Sequence, residues 1–127
     1  MVALTELGAA EAAAAIRAGD VSAQALVEAL LDRCARAAPL NAFISLDPDA
    51  VRAAAREADQ RRRRGERLGT LHGVLLVLKD NFDTADFPTT AGTPALAAHR
   101  PRRNGAVVQR LLYPGALNFR KGHMQEL

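Results

Sequence analysis

Apolar positions in the first third of the chain recur at helical spacing. An alanine-rich stretch from about Gly8 to Ala18, closed by Gly19, predicts a first helix, and Asp20-Val21-Ser22 offers a hydroxyl N-cap for a second. In that second helix Leu26, Val27, Leu30, Leu31 and Cys34 form one apolar stripe, a packing face that ends before Pro39. Residues 41–46 (NAFISL) are short and β-prone. Asp47-Pro48 then supplies an N-cap and a first-turn proline for a third helix through about Arg64, whose buried side is expected at Val51, Ala54, Ala55 and Ala58.

Past Gly65 the pattern changes. Val74 to Leu78 is an uninterrupted apolar run without helical period, which predicts a strand buried on both faces and central in a sheet. Residues 80–103 are turn-forming, and a connection of that length in a compact domain is usually functional or unfolded. Asn104 is placed to cap a short helix carrying Val107, Val108, Leu111 and Leu112. Gly115 should end it, with Pro114 able to end it early, before a strand over residues 116–119. The order α-α-β-α-β-loop-α-β predicts an α/β domain, with a helical region over 1–65 and a sheet-and-loop region over 66–127.

Composition sharpens this picture in two places. Of 127 residues, 27 are alanine and none is tryptophan, so the core is thin for the length. The net charge of +3 conceals an asymmetry: residues 1–60 hold 5 Arg against 9 acids, and residues 61–127 hold 12 Arg and Lys against 5 acids. Much of the positive half sits in Arg61 to Arg64 and in Arg100 to Arg103. The single cysteine, Cys34, excludes an internal disulfide and fits a reducing, cytoplasmic setting. Glu6 and Glu11 stand where a signal peptide would be basic, so neither export nor a membrane partner is expected.

The chain has two lysines against fifteen arginines. Lys79 ends the apolar run, at the strand edge where α/β sheets bind ligands. A lysine held partly out of water at such an edge can work as a neutral base, because desolvation disfavours the ammonium form. The competing expectation is a lysine that extends to solvent or pairs with Asp80. His72, His99 and His123 are too far apart in sequence for a ligand set, and no metal or cofactor is expected. Asp80, Asp83 and Asp86 lack the pattern of a calcium loop and read as solvated turn residues. Arg61 to Arg64 reads as a charged helix end, without interleaved aromatics. Ser22 and Ser45 are the only serines, one a helix cap and one within a strand, so neither is placed as a nucleophile.

Residues 71–84 (LHGVLLVLKDNFDT) and 88–96 (PTTAGTPAL), with the opening LTELGAAEAAAAIRAGDVSAQALVEALLDR and the later LNAFISLDPDAVRAAAREAD, resemble the N-terminal part of the amidase signature family. The TTAGTPAL stretch looks more like the indoleacetamide or mandelamide hydrolase type than like the A subunit of glutamyl-tRNA amidotransferase. The resemblance implies a mixed sheet flanked by helices, incomplete in this chain, and amide hydrolysis by a Ser–cis-Ser–Lys triad without metal or cofactor. Lys79 matches the family's catalytic lysine, whereas both serines and the oxyanion donors belong to a Gly-Ser-rich segment without counterpart here. Near the end, where the family has Gly-Lys-Thr-Asn-Met before an acidic residue, residues 120–126 keep Lys121, Met124 and Glu126.

The reading that follows is a truncated amide hydrolase, inactive alone, whose full-length relatives act on a small-molecule amide. A second is a complementation module that docks onto a separate remainder, a homologue or a copy of itself. The arginine clusters admit a third, a small nucleic-acid-binding protein, which steep weakening in salt would reveal.

Overall fold

The computed structural model describes residues 2–124, and in them four helices pack on one three-stranded sheet. Helices α1 (Ala9–Ala18), α2 (Ala23–Arg36) and α3 (Pro48–Arg63) surround the short strand β1 (Phe43–Ser45) in sequence, and β2 (Leu75–Lys79), α4 (Ala106–Leu112) and β3 (Leu117–Gly122) follow. The local signals act as expected at several joints. Gly19 ends α1 in the left-handed conformation, the Ser22 hydroxyl accepts from the Ala25 N–H, and Asp47 accepts from the Ala50 N–H with Pro48 in the first turn. Helix α4 stops at Leu112, before the exposed Tyr113 and then Pro114.

Ala12 and Ile16 of α1, Leu26, Val27 and Leu31 of α2, and Val51, Ala55 and Ala58 of α3 form one core cluster with Phe119 of β3. Ala54 is only partly buried, and the position that α3 buries in addition is Asp59, an acid where the pattern offers only alanines. Asp59 Oδ1 accepts from the Ala23 N–H at 2.8 Å, and Oδ2 from the Gln24 N–H at 3.1 Å and Gln24 Nε2 at 3.2 Å. One helix thus caps the N-terminus of another, whose first N–H groups have no partner of their own.

The strand order is β1-β3-β2, with β1 antiparallel and β2 parallel to β3. This corrects the expected place of the apolar run: β2 lies at the edge of this sheet, β3 is central, and Val77 is 50% exposed. Alternation puts Leu75, Val77 and Lys79 on one face and Leu76 and Leu78 on the other. Ahead of β2, the turn through Gly73 brings the backbone against Ile16, leaving 3.1 Å between Ile16 and an added Cβ. Asn104 does not cap α4, since its Oδ1 accepts from the Ala85 N–H at 2.8 Å and ties the two ends of the long loop together. Gly105 is the N-cap instead.

Gly69 is required by contact. A Cβ there would lie 2.2 Å from the Pro114 carbonyl oxygen, in backbone that also accepts from the Leu71 N–H. Gly69→Ala is therefore expected to destabilise the chain by about 1–3 kcal/mol, as overpacking against immovable atoms does. An unchanged urea midpoint would contradict that.

Two of the four arginines at the end of α3 are paired with acids. Arg61 and Arg64 both bond Glu66, holding its carboxyl below the ordinary carboxylate range, and Arg64 also reaches Glu57. No described helix is long and apolar enough to cross a membrane.

Candidate active-site edge

Parallel strands β2 and β3 end side by side, with Lys79 opposite Gly122, and the two lysines leave this edge in opposite directions. Lys79 shares the face of Val77, its side chain is exposed, and Nζ donates to the His123 carbonyl at 3.1 Å. Lys121, opposite Leu78, turns to the other face and is completely buried.

Sequence reasoning retained Lys121 only as part of a motif, and the structure makes it the most heavily contacted side chain of the region. Its Nζ donates to the carbonyls of Phe82 (3.0 Å) and Pro88 (3.1 Å) and to the hydroxyls of Thr89 (3.1 Å) and Thr84 (3.3 Å). It also lies 3.1 Å from Asp80 Oδ1, with both side chains at 0% exposure. That contact is ionic rather than a directed hydrogen bond, for Oδ1 has no hydrogen-bond donor among the described residues. The other carboxylate oxygen accepts from the N–H and hydroxyl of Thr90.

Asp80 is thus no solvated turn residue, and it pairs with Lys121 rather than with Lys79. Four acceptors offset the desolvation that an isolated buried ammonium could not survive. The signal available beforehand was the scarcity of lysine: a chain that uses arginine fifteen times uses lysine at two places, and both are at this edge.

The other candidates do not converge on Lys79. Ser22 caps α2, and Ser45 pairs with Lys121 in β1, separated from β2 by β3. His72 is buried with Nε2 2.9 Å from the Ala58 carbonyl, which requires the proton on that nitrogen, and His99 is exposed. Asp83 is exposed and Asp86 accepts from Asn118. Among the described residues no three His, Cys, Asp or Glu side chains are grouped to hold a metal ion. Cys34 lies partly buried against the core. Glu126 lies outside the described residues.

The face of Lys79 continues into an apolar groove of about 910 Å³ between α2 and the sheet, lined by Leu30, Cys34, Leu40, Phe43, Val77 and Arg120. The Arg120 guanidinium stacks over the Phe43 ring, 4.6 Å from its centre.

Residues 25–127 match the Amidase family. The chain belongs to that family. The A subunit of glutamyl-tRNA(Gln) amidotransferase from Chloroflexus aurantiacus is 45% identical over 118 residues, which are 92% of this chain and 24% of that protein. Indoleacetamide hydrolase from Rhizobium radiobacter is 40% identical over 127 residues, or 26% of its length. Over its aligned residues the amidotransferase protein is the more identical of these two. The crystal structure of native peptide amidase from Stenotrophomonas maltophilia superposes with a TM-score of 0.84 at 38% identity, covering 92% of this chain and 24% of that one. This amidase-family chain spans about a quarter of the length of the relatives it matches.

Proposed function

We propose that residues 1–127 supply the lysine-bearing part of an amide hydrolase that works by a Ser–cis-Ser–Lys triad, with Lys79 as the base. The observation that carries this reading is the place of Lys79: an exposed amine at the carboxyl edge of a parallel strand pair, on the open face of the sheet, in an amidase-family chain. As a neutral amine Lys79 takes the proton of the nucleophilic serine through the bridging serine. The serine oxygen attacks the amide carbon, and the same proton passes to the departing amine as the C–N bond breaks, leaving an acyl-enzyme for water to cleave.

Ser22 caps α2 and Ser45 is kept from Lys79 by the intervening β3, so the two serines have to be supplied from outside these residues, and the segment is inactive by itself. The same requirement explains the exposure of Lys79. A lysine becomes a useful base when something covers it, and the covering mass belongs on the face that holds the groove.

The test is to co-express the chain with the Gly-Ser-rich remainder of an amidase such as indoleacetamide hydrolase and to follow ammonia release from an aryl-acetamide. The assembled pair should turn over, and Lys79→Ala should lower kcat/KM by about 10²–10⁴-fold. Turnover indifferent to Lys79 would overturn the assignment. The outer edge of β2, open among the described residues, and the exposed Val77 favour a second reading, a docking module that completes a partner's sheet, which complex formation without turnover would support. The pairing of Arg61 and Arg64 with acids weighs against a phosphate-binding role.

A further inference from the structure

We propose that Lys121 is the resident cation of an oxygen cage that closes the loop after β2, and that through Asp80 it is a positioning residue for Lys79. The second half rests on the reading of Lys79 as the base; the first half does not.

Five oxygens lie 3.0–3.3 Å from the buried Nζ: the carbonyls of Phe82 and Pro88, the hydroxyls of Thr84 and Thr89, and Asp80 Oδ1. An ammonium has three protons, so five oxygens exceed what directed hydrogen bonds can use. The hydroxyls are oriented for this role. Thr84 donates to the Phe87 carbonyl at 3.4 Å and Thr89 to the Phe82 carbonyl at 3.2 Å, which leaves their lone pairs for the ammonium. Every polar group facing Nζ is therefore an acceptor, and one bears a full negative charge. That is the donor set of a monovalent cation, here tethered to β3 by four methylenes. Four of the five oxygens come from residues 82–89, so the loop wraps around the charge, and without it buried oxygens face one another uncompensated.

The link to Lys79 runs through Asp80. The Asp80 carboxylate is held by Lys121 and Thr90, its N–H donates to the Gly122 carbonyl, and its carbonyl accepts from the Ala91 N–H, each of these backbone bonds at 3.0 Å. The residue after Lys79 is thereby fixed at its backbone and at its carboxylate alike. Lys79 Nζ itself rests on the carbonyl of His123, two residues after Lys121.

The experiment uses the full chain carrying Lys121→Ala, which leaves Lys79 as its single lysine and removes the equivalent of n-propylammonium. Amide exchange over residues 81–93 and the NMR shift of Lys79 Cε are measured in n-propylammonium, potassium and tetramethylammonium chloride at equal ionic strength. In tetramethylammonium, too large for the cage, exchange should rise at least about tenfold over the parent. In n-propylammonium it should return towards the parent value, and the Lys79 shift should return with it.

Loss of protection that no small cation restores would overturn the cage. Restored protection with a Lys79 shift unlike the parent's would leave the cage standing and overturn the positioning role, whatever Lys79 does in catalysis. Should Lys121→Ala fail to fold in every salt, Thr89→Val removes one cage oxygen from a chain that keeps its lysine. Methylation of Lys121 should then quicken at least about tenfold, and an unchanged rate would overturn the cage.

Discussion

Asp80→Ala is expected to destabilise the chain by about 3–5 kcal/mol, because it strips a completely buried ammonium of its counter-charge. A domain of this size has a total stability of about 5–15 kcal/mol, so the variant should be close to unfolding at room temperature. The loss goes beyond the ion pair, for the N–H and hydroxyl of Thr90 lose their acceptor as well. Asp80→Asn keeps the shape and an acceptor oxygen for Thr90, and should fall between the variant and the parent.

Replacing both partners of a buried ion pair by apolar residues is often harmless elsewhere. Here Asp80→Leu combined with Lys121→Met should remain destabilised, since the carbonyls of Phe82 and Pro88 would still be buried without the Lys121 donor. Urea unfolding of the three variants and the parent checks both statements. A cost for Asp80→Ala of under about 1 kcal/mol, no more than an exposed ion pair contributes, would show that the pair is a bystander.

Asp59→Ala should cost about 2–4 kcal/mol, through three lost hydrogen bonds to one carboxylate and an exposed positive end of a helix dipole. The Ala23 N–H is the sensitive group, because it is buried and Asp59 Oδ1 is the acceptor it bonds. Ser22→Ala, which removes an ordinary N-cap from the same helix, should cost about 1 kcal/mol. The comparison separates the two contributions, because both variants act on α2 and only one acts across the α2–α3 contact. Equal costs for the two would contradict the assigned role. Asp59→Asn should recover part of the loss, since its amide oxygen still accepts from one N–H.

Helix positions were legible because their causes are local. Ser22, Asp47-Pro48 and Gly19 act within one turn of themselves, and the apolar stripe of α2 states which side is buried whatever lies against it. Asp59 was not legible, because its value comes from the start of α2, 36 residues away. In sequence it is one more charge on a charged helix.

The strand over Val74 to Leu78 was legible as a strand and misplaced as central. Side-chain pattern reports the two faces of a strand, whereas edge or centre depends on backbone hydrogen bonds that no side chain announces. The motif residues identified the amidase family and singled out Lys79. They said nothing of direction, and direction separates the two lysines: one register step turns Lys79 to the open face and Lys121 into the interior.

The sequence by itself thus determined the helices, most of their caps, the apolar strand, the family and the lysine at its edge, because each depends on neighbours within a few residues or on a linear motif. Only the tertiary structure decided that Asp80 is buried, that Lys121 lies among five oxygens, and that β3 is the centre of the sheet. Those facts arise when residues 41 positions apart meet as two parallel strands close, and the low polarity of the resulting interior gives their charges a strength they lack in water.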